Sequence, residues 1–303
     1  KNLQCILSTH SPNLASKAPL ESVILMQDGK AFPLRPGFTE LEQEDYIFLE
    51  KFLDSTKANM FFARSVLLVE GVAEVVLLPK IAELLNRPLE DYSVSLVNVN
   101  GLSRKRYKKI YKPFVGGGSQ LDPLPIKVAC VTDLDLWPNK AQTRYDNPVG
   151  FKEKLHPVRG TKKKGNLQYW LSSYNEEGLI AKIEKKCEFD GANVKTFVSD
   201  EWTFEFCLAK YGLAKELYIA VNGSDDGFDD LSSNEEERAV QIYQMVESQG
   251  SGKSDASYAL AELLSAYKGK EGELIEKLPP YIVNAIEYVT EPFELSDDEG
   301  NND

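Results

Sequence analysis

No stretch of this 303-residue chain approaches the roughly 18 to 20 uninterrupted apolar residues that a membrane-crossing helix requires, and no signal-peptide pattern is visible in it. Cysteine is scarce. Cys5, Cys130, Cys187 and Cys207 show no CxxC spacing and mostly sit inside apolar runs, which argues against a disulfide framework or a zinc ribbon. Reduced core thiols and a cytoplasmic setting are expected instead. An initiating methionine is missing: the chain opens at Lys1 inside an apolar, strand-like run, which leads us to expect a piece of a longer protein. A complete phosphate loop is missing too. The stretch "SQGSGKS" from Ser248 ends like one, but Glu247 stands where the first glycine is required, and a helical pattern rather than a strand precedes it.

Positive charge is in deficit, at a net −12, which looks wrong for a protein that touches nucleic acid. The acids, however, are concentrated. Asp225 to Glu237 holds seven acids and no base, and residues 291–303 hold six and no base, so the rest of the chain is close to neutral. Those two stretches read as a solvated loop and a disordered tail. Elsewhere "SRKRYKKIYKPF" from Ser103 packs six bases with Tyr107, Tyr111 and Phe114, and "KEKLHPVRGTKKKG" from Lys152 adds a second cluster. Each alone fits a solvated face; together they fit a surface that contacts phosphates, with Arg104, Arg106, Lys108 and Lys109 as candidate contacts. Tyr107 and Tyr111 share one helix face and also allow a dimer contact.

Hydrophobic residues make up 42% of the chain, enough for a sizeable core. "LQCILST", "SVLLVE", "YSVSLVNV", "IKVACVT" and "VKTFVS" read as short apolar strands separated by helical patterns, with an acidic helix over about 40–57 and Pro79 expected to kink the helix that follows Glu70. Such alternation predicts an α/β fold with a parallel sheet flanked by helices. The segment between Trp137 and Lys195 reads as an insertion, helical at "NLQYWLSSY" and "GLIAKIEKKC", and three helical patterns follow Asp230. They suggest an additional, mainly helical subdomain.

In a parallel sheet, ligands gather beyond the carboxyl ends of the strands. Glu70 ends one expected strand, Asp133 and Asp135 end another, and Glu205 lies one turn into the helix after a third, with Glu74 four residues past Glu70. Singly, Asp133 and Asp135 fit an Asx turn and Glu74 fits a first-turn acid that favours the helix dipole. Jointly, acids converging from distant positions repel one another unless cations lie between them, and carboxylate oxygens suit Mg²⁺ or Mn²⁺.

An apolar strand closing on Glu70-Gly71, followed by one closing on Asp133-x-Asp135, resembles the Toprim domain of topoisomerases, primases and several nucleases. With Glu74, "WTFEFCL" and the leading "ILSTHSPNLA", the chain is more specifically similar to the OLD (overcoming lysogenization defect) family, in which an ABC-type ATPase precedes a Toprim (Rossmann-like) nuclease. The resemblance implies a DNA endonuclease acting in repair or phage defence. Two divalent ions roughly 3.5 to 4 Å apart are implied, held by Glu70, Glu74, Asp133, Asp135 and Glu205. It also implies Lys253 as an electrophilic helper and His10 as the histidine that senses the terminal phosphate of ATP. No Walker A, Walker B or signature motif precedes His10, so ATP enters only through an ATPase domain outside this chain.

The resulting division is 1–33 as the end of the ATPase domain, 34–64 as a connecting helix, and 65–137 with 195–270 as the Toprim nuclease domain. Residues 138–194 are the inserted, mostly helical segment, and 271–303 a terminal helix with an acidic tail. DNA, the chain's own ATPase domain and a second copy are the expected partners, with no membrane. Two other classes stay open. A haloacid dehalogenase-type phosphatase also begins catalysis at Asp-x-Asp, though Trp137 stands where Thr or Val is usual. A non-catalytic Toprim-like module for DNA binding or dimerisation is the other.

Overall fold

The computed structural model describes residues 5–101, 104–113, 115–116, 119–120, 123–141, 171–191, 193–248 and 252–292. Within them the elements that matter for the site run in order. A hairpin of β1 (Ile24–Gln27) and β2 (Lys30–Pro33) precedes α1 (Gln43–Phe52), β3 (Ser65–Val69), α2 (Val72–Leu84), β4 (Val94–Asn98), α3 (Arg104–Tyr111) and β5 (Lys127–Thr132). Then come α4 (Glu176–Lys186), β6 (Val194–Val198), α5 (Phe204–Leu208), α6 (Ala214–Asn222) and α7 (Glu235–Ser248), with α8 (Gly252–Leu264), α9 (Glu271–Lys277) and α10 (Pro280–Thr290) last.

The four longer strands form one parallel sheet in the order β4-β3-β5-β6. β3 and β5 are its interior strands, which is why their sequences are apolar throughout instead of alternating. Val66 and Leu68 face a core built with the N-terminal segment, α1 and α3, whereas Leu67 and Val69 face the core of α2 and the later helices. Val128 and Cys130, against Ala129 and Val131, divide the same way on β5. Both sheet faces are therefore dry, and each fully buried aliphatic side chain contributes about 1.5–3 kcal/mol.

The helices after Asp230 belong to the same core as their face of the sheet, with α10 lying against β3, β5 and β6. Proline at the first position of α10 suits a helix start, where no amide donor is needed. Pro79 sits inside α2, which continues past it to Leu84. Gly212 interrupts the path from α5 to α6 at φ 155°, and a Cβ there would lie 3.0 Å from the Lys277 backbone, so only glycine lets α9 approach.

Two expectations need correction. Residues 5–9 of "LQCILST" form no strand; Ile6 is 92% exposed and Leu7 67%, and among the described residues no neighbouring strand pairs with them. The acidic helix is shorter than 40–57, running Gln43–Phe52 behind a capping box of Glu42 and Asp45. The acidic end at 293–303, the cluster at 152–165 and the start of "NLQYWLSSY" lie outside the described residues.

Candidate active site

Parallel register brings the acidic strand ends together. β3 pairs with β5 from Ser65↔Lys127 to Leu68↔Cys130. Carried two residues further, that register sets Glu70 beside Thr132, with Asp133 next along. The β6 end is joined on the other side, where Ser199 N donates to Thr132 O at 2.9 Å.

Glu74 is the third residue of α2, buried, and its carboxylate folds back over the helix start: a Cβ on Gly71 would stand 2.8 Å from its Oε2. Gly71 has an extended backbone at φ −136°, so its role is to leave space rather than to permit a turn. The Glu-Gly pair thereby acquires a physical reason.

The Asp-x-Asp loop is fixed residue by residue. Leu134 and Leu136 are buried, whereas Asp135 between them is exposed and Asp133 part-buried. Asp135 takes φ 62°, a left-handed conformation that aspartate tolerates better than most residues. Leu134 N donates to Ser199 Oγ, Asp135 N to Trp202 O, and Trp202 N to Leu136 O. These bonds tie the loop to 199–202, whose continuation is α5, capped by Thr203 and carrying buried Glu205 as its second residue.

Bases from outside the sheet hold two of the five acids. Arg104, the first residue of α3, pairs with Glu70. Lys186, the last residue of α4, donates to Asp135 Oδ2 at 2.8 Å and to the Asp133 carbonyl at 2.6 Å. The charges of Glu74, Asp133 and Glu205 also act on a residue that the sequence did not reveal. Tyr281, second in α10, is buried, and its hydroxyl has no hydrogen-bond partner among the described residues. Burial pushes its pKa well up, and the charges of Cys207, Asp133, Glu74 and Glu205 push the same way. Burial likewise raises the Cys207 thiol, with Asp133 adding to it. Tyr281 is an aromatic at a helix start, and nothing in its local pattern sets it apart from a core residue.

Among the described residues, no three histidine, cysteine or acidic side chains stand close enough to hold one metal ion. The donor chemistry nevertheless fits a hard divalent cation, since the candidate donors at this sheet edge are carboxylates. Lys253 is the second residue of α8 and so stands on a helix rather than a loop; its side chain lies outside the described residues. α8 packs on α2, the helix of Glu74. His10 is exposed, with its ring 6.1 Å from that of Phe62 and far along the chain from the acids.

The α3 bases need correction as phosphate contacts. Lys108 is fully buried and donates to Asp190, Thr196 and the Lys186 carbonyl. Lys109 and Arg106 both pair with Asp45 on α1. Tyr107 and Tyr111 are buried in the second core, Tyr111 donating to Met60 O, so their face packs inward instead of serving a dimer. Of the four candidates only Arg104 stands at the carboxylate edge.

Residues 61–135 match the family model described as the TOPRIM domain of overcoming lysogenization defect protein-like proteins. Among curated proteins, the chain is 20% identical to Endonuclease GajA of Bacillus cereus (strain HuB5-5) over 327 aligned positions, covering 97% of this chain and 43% of that protein. It thus spans less than half the length of that relative. Among solved structures it is similar to the C-terminal region of the Burkholderia pseudomallei OLD protein, at 23% identity and a TM-score of 0.44, covering 76% of this chain and 98% of that one. The corresponding region of the Xanthomonas campestris pv. campestris OLD protein gives 24% identity and a TM-score of 0.42, covering 77% and 94%.

Proposed function

With residues 61–135 carrying an OLD-like Toprim domain, we propose that this chain is the nuclease portion of an ATPase-nuclease and cleaves DNA phosphodiester bonds with divalent metal. The observation that carries the reading is the parallel register that sets the strand ends bearing Glu70 and Asp133 side by side, with the Asp-x-Asp loop bonded to the 199–202 segment that leads into Glu205. Likeness to an endonuclease supports the reaction class.

Glu70, Glu74, Asp133, Asp135 and Glu205 are the residues that would hold Mg²⁺ or Mn²⁺, in a pair. When bound, the metal would neutralise phosphate charge and lower the pKa of water to make a nucleophile. The chain's own part is to orient. The bonds between 133–136 and 199–202 fix Asp133 and Asp135 relative to Glu205, and Gly71 leaves Glu74 its place. Lys253 at the start of α8 supplies positive charge against the phosphoryl oxygens. His10 is assigned to an ATP site completed by the ATPase part of a longer protein, with no role in cleavage by this chain. Repair of DNA or defence against phage is the setting that the resemblance to the OLD family implies.

Purified chain incubated with supercoiled plasmid and with a phosphomonoester, each in Mg²⁺, Mn²⁺ or EDTA, tests the reading. Metal-dependent nicking is expected, and Glu70→Ala and Asp135→Ala each abolish it while the melting temperature is kept, since both carboxylates lie at the surface edge. Monoester turnover without nicking refutes the proposal in favour of a phosphatase, and no turnover of either refutes it in favour of a binding module.

A further inference from the structure

Beside Glu70 the sheet edge opens into a cavity of about 430 Å³ whose charged lining is Arg104 and Lys105 from α3, Lys182, Lys185 and Lys186 from α4, and Glu70. Five bases thus face one acid. Arg104 answers Glu70, Lys186 answers Asp135, and Lys105 pairs at the rim with Glu188. Lys182 and Lys185 make no ion pair among the described residues. Lys182 lies over the Tyr174 ring, and burial, then the charge of Lys186, lowers its pKa. Cations crowded in this way repel one another until an anion enters, the mirror image of the acid crowding one strand away. The start of α3, reached through Gly101 and Arg104, adds the positive end of a helix dipole to the same space.

We propose that this cavity seats a backbone phosphate of the DNA strand next to the bond that is cut, so that the inserted helix α4, rather than the buried lysines of α3, holds the strand across Glu70. The proposal rests on the nuclease reading for its choice of DNA as the anion. The volume suits a nucleotide-sized unit better than a lone ion, being within the roughly 300 to 1,000 Å³ of small-ligand clefts. Val99 and Gly101 complete the lining without negative charge. Lys186 touches both the cavity and the Asp-x-Asp loop, which fixes the distance between the phosphate seat and the carboxylates.

The test is DNA binding without cleavage. A fluorescein-labelled duplex is titrated with the chain in EDTA across a salt series, using the wild type and the Lys182→Ala/Lys185→Ala variant. Lys185 is exposed and Lys182 only part-buried, and neither belongs to a core, so the fold is expected to hold, which a thermal melt checks. Loss of this one phosphate contact flattens the slope of log affinity against log salt by about 0.9. The Lys182→Arg/Lys185→Arg variant restores the slope. An unchanged slope in a folded Ala variant overturns the proposal. So does competition by dAMP that the Ala variant loses while duplex binding stays intact, because the cavity then serves a free nucleotide. Because the assay is run in EDTA, a chain that binds duplex through these lysines but never nicks plasmid removes the nuclease reading alone.

Discussion

Gly71→Ala separates the shape of the carboxylate site from the stability of the fold. The backbone at 71 is extended, so alanine brings no conformational strain. Its Cβ would meet Glu74 Oε2 at 2.8 Å, and ordinary contact begins near 3.4 Å, so the carboxylate must retreat by about 0.6 Å. The atom that moves is the tip of a flexible side chain. The stability cost is therefore confined to the poorer helix cap, about 1 kcal/mol, or a melting shift of roughly 2–4 °C. Catalytic geometry is less forgiving: constellations hold to within about 0.5 Å, and a 1 Å misplacement can cost on the order of 10²-fold. Cleavage by Gly71→Ala is expected to fall at least about tenfold, measured as the initial rate of plasmid nicking in Mn²⁺. Melting of Gly71→Ala in a Glu74→Ala background isolates the cap, since the colliding atom is then gone. Wild-type nicking by a folded Gly71→Ala protein refutes the account of Glu74, as does a melting loss that is equally large in both backgrounds with activity unchanged.

Tyr281→Phe removes a buried hydroxyl that has no hydrogen-bond partner among the described residues, so the melting temperature is expected to hold or rise slightly; Mn²⁺ affinity by calorimetry is expected to weaken, and an unchanged affinity would show that the hydroxyl is only packing. Lys108→Ala leaves Asp190 and Thr196 facing a vacated site and is expected to destabilise by about 3 kcal/mol, the low end for a broken buried pair because Asp190 keeps some solvent. A melting shift of roughly 6–12 °C follows, and a loss of DNA affinity without any shift would return Lys108 to the list of phosphate contacts.

The sheet edge was legible because an interior parallel strand must be apolar throughout, so an acid directly after "SVLLV" or "KVACVT" marks where the strand leaves the core. The reason for Gly71 was not, since it depends on where the Glu74 side chain folds. Counting bases misled for Lys108 and Lys109: their partners Asp190 and Asp45 lie far away in sequence, and a buried pair reads along the chain like half of a solvated patch. The α4 lysines were hidden for the complementary reason. They belong to a segment read as an insertion, and only the fold of that segment against β6 brings them beside Glu70. Tyr281 was unreadable because its distinction is an empty hydrogen-bonding position.

The placement of α10 has a consequence for synthesis. β3 and β5 leave the ribosome before α10, with Glu70, Glu74 and Asp133 following them, yet the helix that packs on both strands and delivers Tyr281 is among the last described elements to emerge. Contacts of such long sequence separation close slowly, after the intervening loops have been drawn in. Until residue 290 has emerged, the part of the apolar sheet that α10 packs on lacks its cover, a surface for chaperones to guard. Translation thereby sets the order of events, and the carboxylates gain their common surroundings only once the chain has been made as far as its closing helix.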